Sequence, residues 1–298
     1  MGALDSVIAL SLPLVPKPLV RVFSKPYVAG ETLSDQVRVI QDLNAQGFMA
    51  ASGILGEFVT KREESEQAVR DYQQCLDEIA ARKLDSNIHT KPTHLGLKLD
   101  KEFCYQNMRR ILEHARSYGN FMRMDMEDSP CIDETLELYY RLREDFDNVG
   151  VVIQARVRRS LADVRKLAAV KANVRLCKGV YIEPREIAYT NFRIIQENYV
   201  MLLEELLNAG CYVGIATHDE LLTWEACRLI DRLGLKPHQY EFQMLHGVEP
   251  QLRRIVRAQG HRLRVAVPFG PNWYPYSIRR LRKNPAIAGY VFKAMFKK

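Results

Sequence analysis

Several common signatures are missing from this chain, and each absence removes a class of protein. Its six cysteines form no Cys-x-x-Cys pair and show no metal-ligand spacing. A zinc module and a disulfide framework are therefore not expected, and the thiols read as reduced, mostly buried groups of an intracellular protein. The apolar run from Val7 to Val20 is too short to span a bilayer and is broken by Pro13, Pro16 and Pro18. Asp5 and the lack of an early Lys or Arg argue against a secretory signal. No Gly-rich fingerprint follows an early strand, which counts against an open doubly wound sheet binding a dinucleotide. No low-complexity segment or Gly/Ser linker divides the chain. The net charge of +7 suits an anionic cofactor, an acidic substrate or an anionic membrane surface. The basic residues are dispersed and no aromatic-basic module accompanies them, so nucleic acid is not an expected partner.

What is present is an alternation. Short apolar runs predict strands near Met49–Ile54, Ser86–Lys91, Phe121–Asp125, Gly150–Gln154, Val174–Lys178, Tyr212–Ala216, Tyr240–Leu245 and Leu263–Pro268. Longer amphipathic patterns between them predict helices over Ser65–Ala81, Lys101–Tyr118, Ile132–Asp145, Ser160–Ala169, Phe192–Asn208, Glu220–Leu233 and Glu249–Ala258. Eight such units in about 250 residues predict an α/β fold, a closed (β/α)8 TIM-like barrel, over residues 31–298. Residues 1–30 read as an N-terminal helical segment packed on it. Met1–Ser6 also fits the loose myristoylation pattern, a match short enough to arise by chance.

Polar residues stand at or just after the C-terminal ends of the predicted strands: Glu57, Lys91, Asp125, Gln154, Arg175 with Lys178, Thr217 with His218, and Gln243. Barrel enzymes build their sites at that rim. Any one of these residues is ordinary strand-end polarity; seven ends carrying them together point to a site. Lys91 and Asp125 end neighbouring strands and are expected to form an ion pair. Arg175 and Lys178 beside Gly179 suit an anionic cofactor that the backbone can approach closely. His218 has no second His at helical spacing and no carboxylate cluster nearby, so no metal site is expected.

Near the C-terminus a buried strand runs into Gly270-Pro271-Asn272 and then a short helix carrying Tyr276, Arg279 and Arg280 at offsets of three and four. A phenol and two guanidiniums on one helical face suit a carboxylate or a phosphate. The stretch Trp273-Tyr274-Pro275-Tyr276-x-x-Arg279-Arg280 resembles the signature of the proline dehydrogenase family. So do Arg123–Pro130, Arg175–Tyr181 and Glu241–Gly247, in order and at family-like spacing, and the resemblance covers nearly all of the chain from about Glu31 onward.

The resemblance implies an FAD-dependent oxidation of L-proline to pyrroline-5-carboxylate, by hydride transfer to flavin N5. It places Arg279, Arg280 and Lys91 on the substrate carboxylate, with Asp125 holding Lys91 and Glu57 pairing with Arg279 as a gate. Tyr276 stands with these as a catalytic residue, and Leu245, Val180 and Ala266 belong to the substrate pocket. Arg175 faces the N5 region, Gln154 the flavin ring, and Lys178, Thr217 and His218 the phosphate and ribose side; Cys177 and Gly179 complete that stretch. Implied partners are a cyclic amino acid, a quinone electron acceptor reached by peripheral contact with the inner face of a membrane, and a pyrroline-5-carboxylate dehydrogenase that takes the product in the cytoplasm. The chain departs from the family pattern at Gly53, usually Asp; at Val180, commonly Ala; at Lys283, commonly an acid; and at Ala266, a Tyr in proline-specific members. Ala266 opens the alternative of 4-hydroxyproline or another substituted proline as substrate. A different flavin- or phosphate-dependent barrel enzyme and a catalytically inactive barrel are the remaining alternatives.

Overall fold

The computed structural model describes residues 17–283, with the side chains of Pro18, Leu19, Val22, Phe23 and residues 279–283 outside the description. Eight parallel strands close into a barrel in sequence order: β1 (Met49–Ile54), β2 (Ser86–Thr90), β3 (Met122–Met124), β4 (Val149–Gln154), β5 (Val174–Cys177), β6 (Val213–Ala216), β7 (Tyr240–Leu245) and β8 (Leu263–Phe269). The closing pair is β1 with β8, in register from Met49 opposite Arg264 to Ile54 opposite Phe269. The open doubly wound alternative is thereby excluded.

Helices α1 (Lys17–Ser24) and α2 (Leu33–Ala45) precede β1. The rest follow in turn: α3 (Arg62–Ala81), α4 (Lys101–Ser117), α5 (Ile132–Asp145), α6 (Ser160–Ala169), α7 (Phe192–Asn208), α8 (Glu220–Leu233), α9 (Pro250–Ala258) and α10 (Trp273–Lys283). Helix starts are set by short polar side chains that take up free N–H groups. Asp100 accepts from Phe103 N, Asn191 from Arg193 N and Ile194 N, and Asp219 from Leu221 N. Thr32 and Asp35 form a reciprocal capping box on α2. Helix α4 shows how the ring is held: Cys104, Met108, Ile111, Leu112 and Ala115 form one buried stripe at spacings of three and four. Strand β4 is buried along its whole length, which is why it reads as a continuous apolar run.

The sequence reading does not include helix α2. It packs against β1 and β8, in the gap where a helix following β8 would close the ring. Gln36 of α2 is fully buried and donates from Nε2 to Val267 O at 2.8 Å. The final helix, α10, packs against α1 instead. Its entry is tied to the loop after β1: Leu55 N donates to Phe269 O at 2.8 Å, and Asn272 Nδ2 to Leu55 O at 3.2 Å. Helix α10 thus starts at the C-terminal rim of the barrel. No helix among the described residues is long and apolar enough to cross a membrane.

Candidate active site at the C-terminal mouth of the barrel

Side chains alternate along each strand, so every second residue enters the barrel. The inward set includes Gly53, His89, Asp125, Gln154, Arg175, Gln243 and Ala266, and it is more polar than a purely structural barrel core requires. Polar groups this deep need partners, and a continuous run of contacts supplies most of them. Arg264 Nε donates to Glu241 Oε1 at 2.8 Å, and Gln243 Nε2 donates to the same oxygen at 2.5 Å. Arg175 Nε then donates to Gln243 Oε1 at 2.5 Å, and Arg175 Nη1 to Asp125 Oδ1 at 2.6 Å. His89 Nδ1 meets Asp125 Oδ2 at 2.9 Å and ends the chain of contacts. Burial opposes the charge on Asp125, but His89 and Arg175 outweigh it and hold the carboxyl well below the usual carboxylate range.

The expected Lys91–Asp125 pair is replaced by other contacts. Lys91 Nζ is bonded to Glu57 Oε2 at 2.6 Å, and both oxygens of Asp125 are occupied by His89 and Arg175. Strand order alone could not show that Arg175 reaches across from β5. Arg175 and Gln243 also lie within their strands rather than beyond the ends, as the second residue of β5 and the fourth of β7. Glu57, expected on Arg279, has Lys91 as a partner here; the side chains of Arg279 and Arg280 lie outside the described residues, although α10 carries both at the rim. Tyr276 stands half-buried in the first turn of that helix.

Two short 3-10 turns brace the mouth. The first, Pro92–Leu95, contains Thr93, whose N and Oγ1 donate to Glu127 at 2.9 and 2.6 Å. Burial lifts the Glu127 carboxyl to about 6 in spite of those bonds. The second turn is Ser129–Cys131. Gln154 is buried and donates from Nε2 to Glu127 O at 2.7 Å, which leaves its Oε1 near Gly179.

The remaining expected cofactor residues gather on the β5–β6 side. Gly179 has a φ of +92°, and a Cβ there would lie 2.8 Å from Arg156 and 2.9 Å from Gln154 Oε1, so a glycine is needed on both counts. Lys178 Nζ bonds Asp219 Oδ2 at 2.7 Å and lies over the Phe192 ring. Thr217 is buried and accepts at Oγ1 from Asp219 N at 3.0 Å. His218 Nε2 accepts from Leu245 N at 2.8 Å, which commits that lone pair and leaves it unable to act as a ligand or base. Burial pushes the Cys177 thiol up to about 11, so it is not a reactive thiolate. An amide, a guanidinium, an ammonium and a hydroxyl on neighbouring strands, with a left-handed glycine beside the amide, fit a cofactor that has both hydrogen-bonding ring atoms and a diphosphate.

Leu245 ends β7 half-buried, and Val180 stands exposed on the loop after β5. Ala266 is the one partly exposed residue of β8, and its partner in β1 is the equally small Ala51. The departure at Gly53 has a structural reason: a Cβ there would lie 2.2 Å from His89 Nε2. His89 and Glu127 were missed as candidates. The signal for His89 was available, since it shares an inward face with Lys91 at a spacing of two. At the opposite, N-terminal end a polar cavity of about 320 Å³ is lined by Arg123, Glu241, Arg262 and Arg264 among others, and Glu241 and Arg264 are where the chain of contacts to the mouth begins.

The proline dehydrogenase family model matches residues 36–292. Proline dehydrogenase 1 of Bacillus subtilis (strain 168) is 33% identical over 278 residues, covering 93% of this chain and 92% of the relative. Proline dehydrogenase of Deinococcus radiodurans is 33% identical over 276 residues, covering 91% and 89%. Among solved structures, proline utilization A from Bdellovibrio bacteriovorus inactivated by N-propargylglycine superposes with a TM-score of 0.83 at 23% identity, over 88% of this chain and 33% of that one. That likeness shows the shared barrel fold, and the sequence matches show the family. The chain belongs to the proline dehydrogenase family.

Proposed function

We propose that this chain is an FAD-dependent dehydrogenase of L-proline, producing pyrroline-5-carboxylate and passing the electrons to a quinone. The observation that carries the reading is the convergence of Glu57, Lys91, Asp125, Gln154 and Arg175 at one mouth, beneath the start of the helix that bears Arg279 and Arg280. The two arginines and Lys91 hold the substrate carboxylate. Lys91 is already fixed by Glu57, so its ammonium is oriented before substrate arrives. Holding the carboxylate at one end of the five-membered ring fixes the position of the ring carbon beside nitrogen at the other. That carbon loses hydride and the nitrogen loses a proton, leaving a cyclic imine. Bound FAD supplies the hydride acceptor. The chain provides position and field: Asp125 holds Arg175 towards the cofactor, Gln154 offers an amide, and Lys178, Thr217 and the open backbone at Gly179 receive the anionic portion. The product is consumed by a dehydrogenase of the imine or its open aldehyde form. Reoxidation by a quinone calls for peripheral contact with a membrane.

A second reading, oxidation of 4-hydroxyproline or another substituted proline, is favoured by the partly exposed Ala266 facing Ala51. Both small side chains leave room beside the ring. An anaerobic screen of cyclic amino acids tests the two together. Loss of yellow colour with L-proline or a substituted proline is the expected outcome. No bleaching by any cyclic amino acid, in protein that does hold FAD, would overturn the proposal.

A further inference from the structure

We propose that His89 is a positioning residue for the Asp125–Arg175 pair and that Gly53 exists in this chain to house its ring. Three observations meet here. First, His89 Nδ1 bonds Asp125 Oδ2 at 2.9 Å, while Arg175 holds the other oxygen at 2.6 Å. The carboxylate is gripped from two sides, so moving the imidazole moves Asp125 and, with it, the guanidinium. Second, His89 Nε2 is buried and has no hydrogen-bond partner among the described residues. It lies where a Cβ of residue 53 would be, at 2.2 Å, with Cε1 at 2.3 Å. The ring therefore leans on the bare backbone of β1. Third, Gly53 sits in regular strand, paired with His89 and with Pro268, and its φ is not in the left-handed region. Its backbone does not call for glycine; the imidazole does.

The consequence is a steric and electrostatic unit of four residues. Gly53 gives the space, His89 fills it, Asp125 receives the Nδ1 contact and Arg175 is aimed. An alanine at 53 would push the ring off Asp125 and free one carboxylate oxygen. A residue at 89 without a donor would do the same without any clash. Only the kinetic arm of the test below rests on the functional reading given above; the other two arms do not.

The stability arm uses Gly53→Ala, His89→Ser and the double variant in the whole chain. Gly53→Ala should lower the thermal midpoint in the wild-type background. In the His89→Ser background it should leave the midpoint unchanged or raise it, because Ala suits an ordinary strand conformation better than Gly when nothing obstructs it. Additive effects would overturn the housing role. In the second arm, imidazole nitrogen resonances of labelled protein should show His89 Nδ1 protonated and hydrogen-bonded, with that signature lost in Asp125→Asn. An unchanged signature would overturn the contact. In the kinetic arm, His89→Leu should lower kcat for L-proline by roughly tenfold to a hundredfold, the range expected when a reacting group is misplaced by about an ångström. KM should move less, because the carboxylate clamp is untouched, and His89→Asn should recover most of the loss by keeping a donor. Equal loss in Leu and Asn variants would reduce His89 to a packing role. Absence of turnover in wild type would instead count against the functional reading, with the first two arms still deciding for or against the unit.

Discussion

At the scale of single residues, two side chains carry predictions of different kinds. Glu127 is fully buried, and burial pushes its carboxyl up to about 6 from an ordinary 4.5. Between those values the folded protein holds a proton that the unfolded chain has lost. The folded state is then favoured at the lower end, and Glu127 withdraws stability as pH rises through 6. Glu127→Gln does not titrate. Wild-type stability minus variant stability, from urea curves at several pH values, should fall across that window by at most about 2 kcal/mol and stay flat above it. A flat difference throughout would mean the carboxyl is not perturbed. Ala266 concerns selectivity. Ala266→Tyr should fill space beside the substrate ring and shift the ratio of kcat/KM values from substituted prolines towards L-proline. The shift should be modest, since an apolar pocket rejects an added hydroxyl by only about a hundredfold. An unchanged ratio would show that another side chain already fills the space.

At the scale of elements, the prediction concerns the helix that completes the ring. Gln36 of α2 carries the contact between that helix and β8, donating to Val267 O and receiving the Cys75 Sγ contact at 3.5 Å. Gln36→Leu keeps the volume roughly and removes the hydrogen bonds inside the fold. A loss of about 1–3 kcal/mol is expected, read as a lower urea midpoint at constant slope. This helix also marks where legibility in the sequence ended. β1, β7 and helices α5, α6, α7 and α8 have the bounds the pattern predicts, because runs buried on both faces and stripes at three and four are local properties. Helix α2 was lost because the alternation assigns each helix to the strand before it, although its buried face carries Val37, Ile40 and Leu43 beside Gln36. The site was legible to the same limit. Rim positions such as Lys91, Asp125 and Gln154 follow from strand ends. Partners do not: that Arg175 meets Asp125 across the barrel, and that Lys91 turns to Glu57, depends on distances no one-dimensional spacing contains. Gly53 read as a lost acid because its meaning lies in His89, on another strand.

At the scale of the whole molecule, the arrangement predicts how the protein responds to its cofactor. The chain carries a net charge of +7, and strands β4 to β6 bring Gln154, Arg175, Lys178 and Thr217 to the mouth, with Gln154 beside the left-handed Gly179. In the folded state these donors stand together; in the unfolded chain they are dispersed, so FAD should bind only the native form. Such a ligand stabilises by an amount that grows with the logarithm of its free concentration, about 2.7 kcal/mol at a hundredfold excess over Kd. For a domain of this size one kcal/mol moves the thermal midpoint by about 2–4 °C, so a rise of roughly 5–10 °C is expected when cofactor-free protein is titrated with FAD. Riboflavin, which lacks the diphosphate, should give a smaller rise if Lys178 and the Gly179 backbone receive that group. Lys178→Ala should narrow the gap between the two ligands. Equal rises with FAD and riboflavin would remove the diphosphate from the β5–β6 side. The cofactor is also expected to be held without a covalent bond, since burial pushes the Cys177 thiol up to about 11 and His218 Nε2 is committed to Leu245 N. Acid precipitation of the loaded protein should leave the yellow colour in solution; colour that stays with the pellet would mean that a side chain outside this set attaches it.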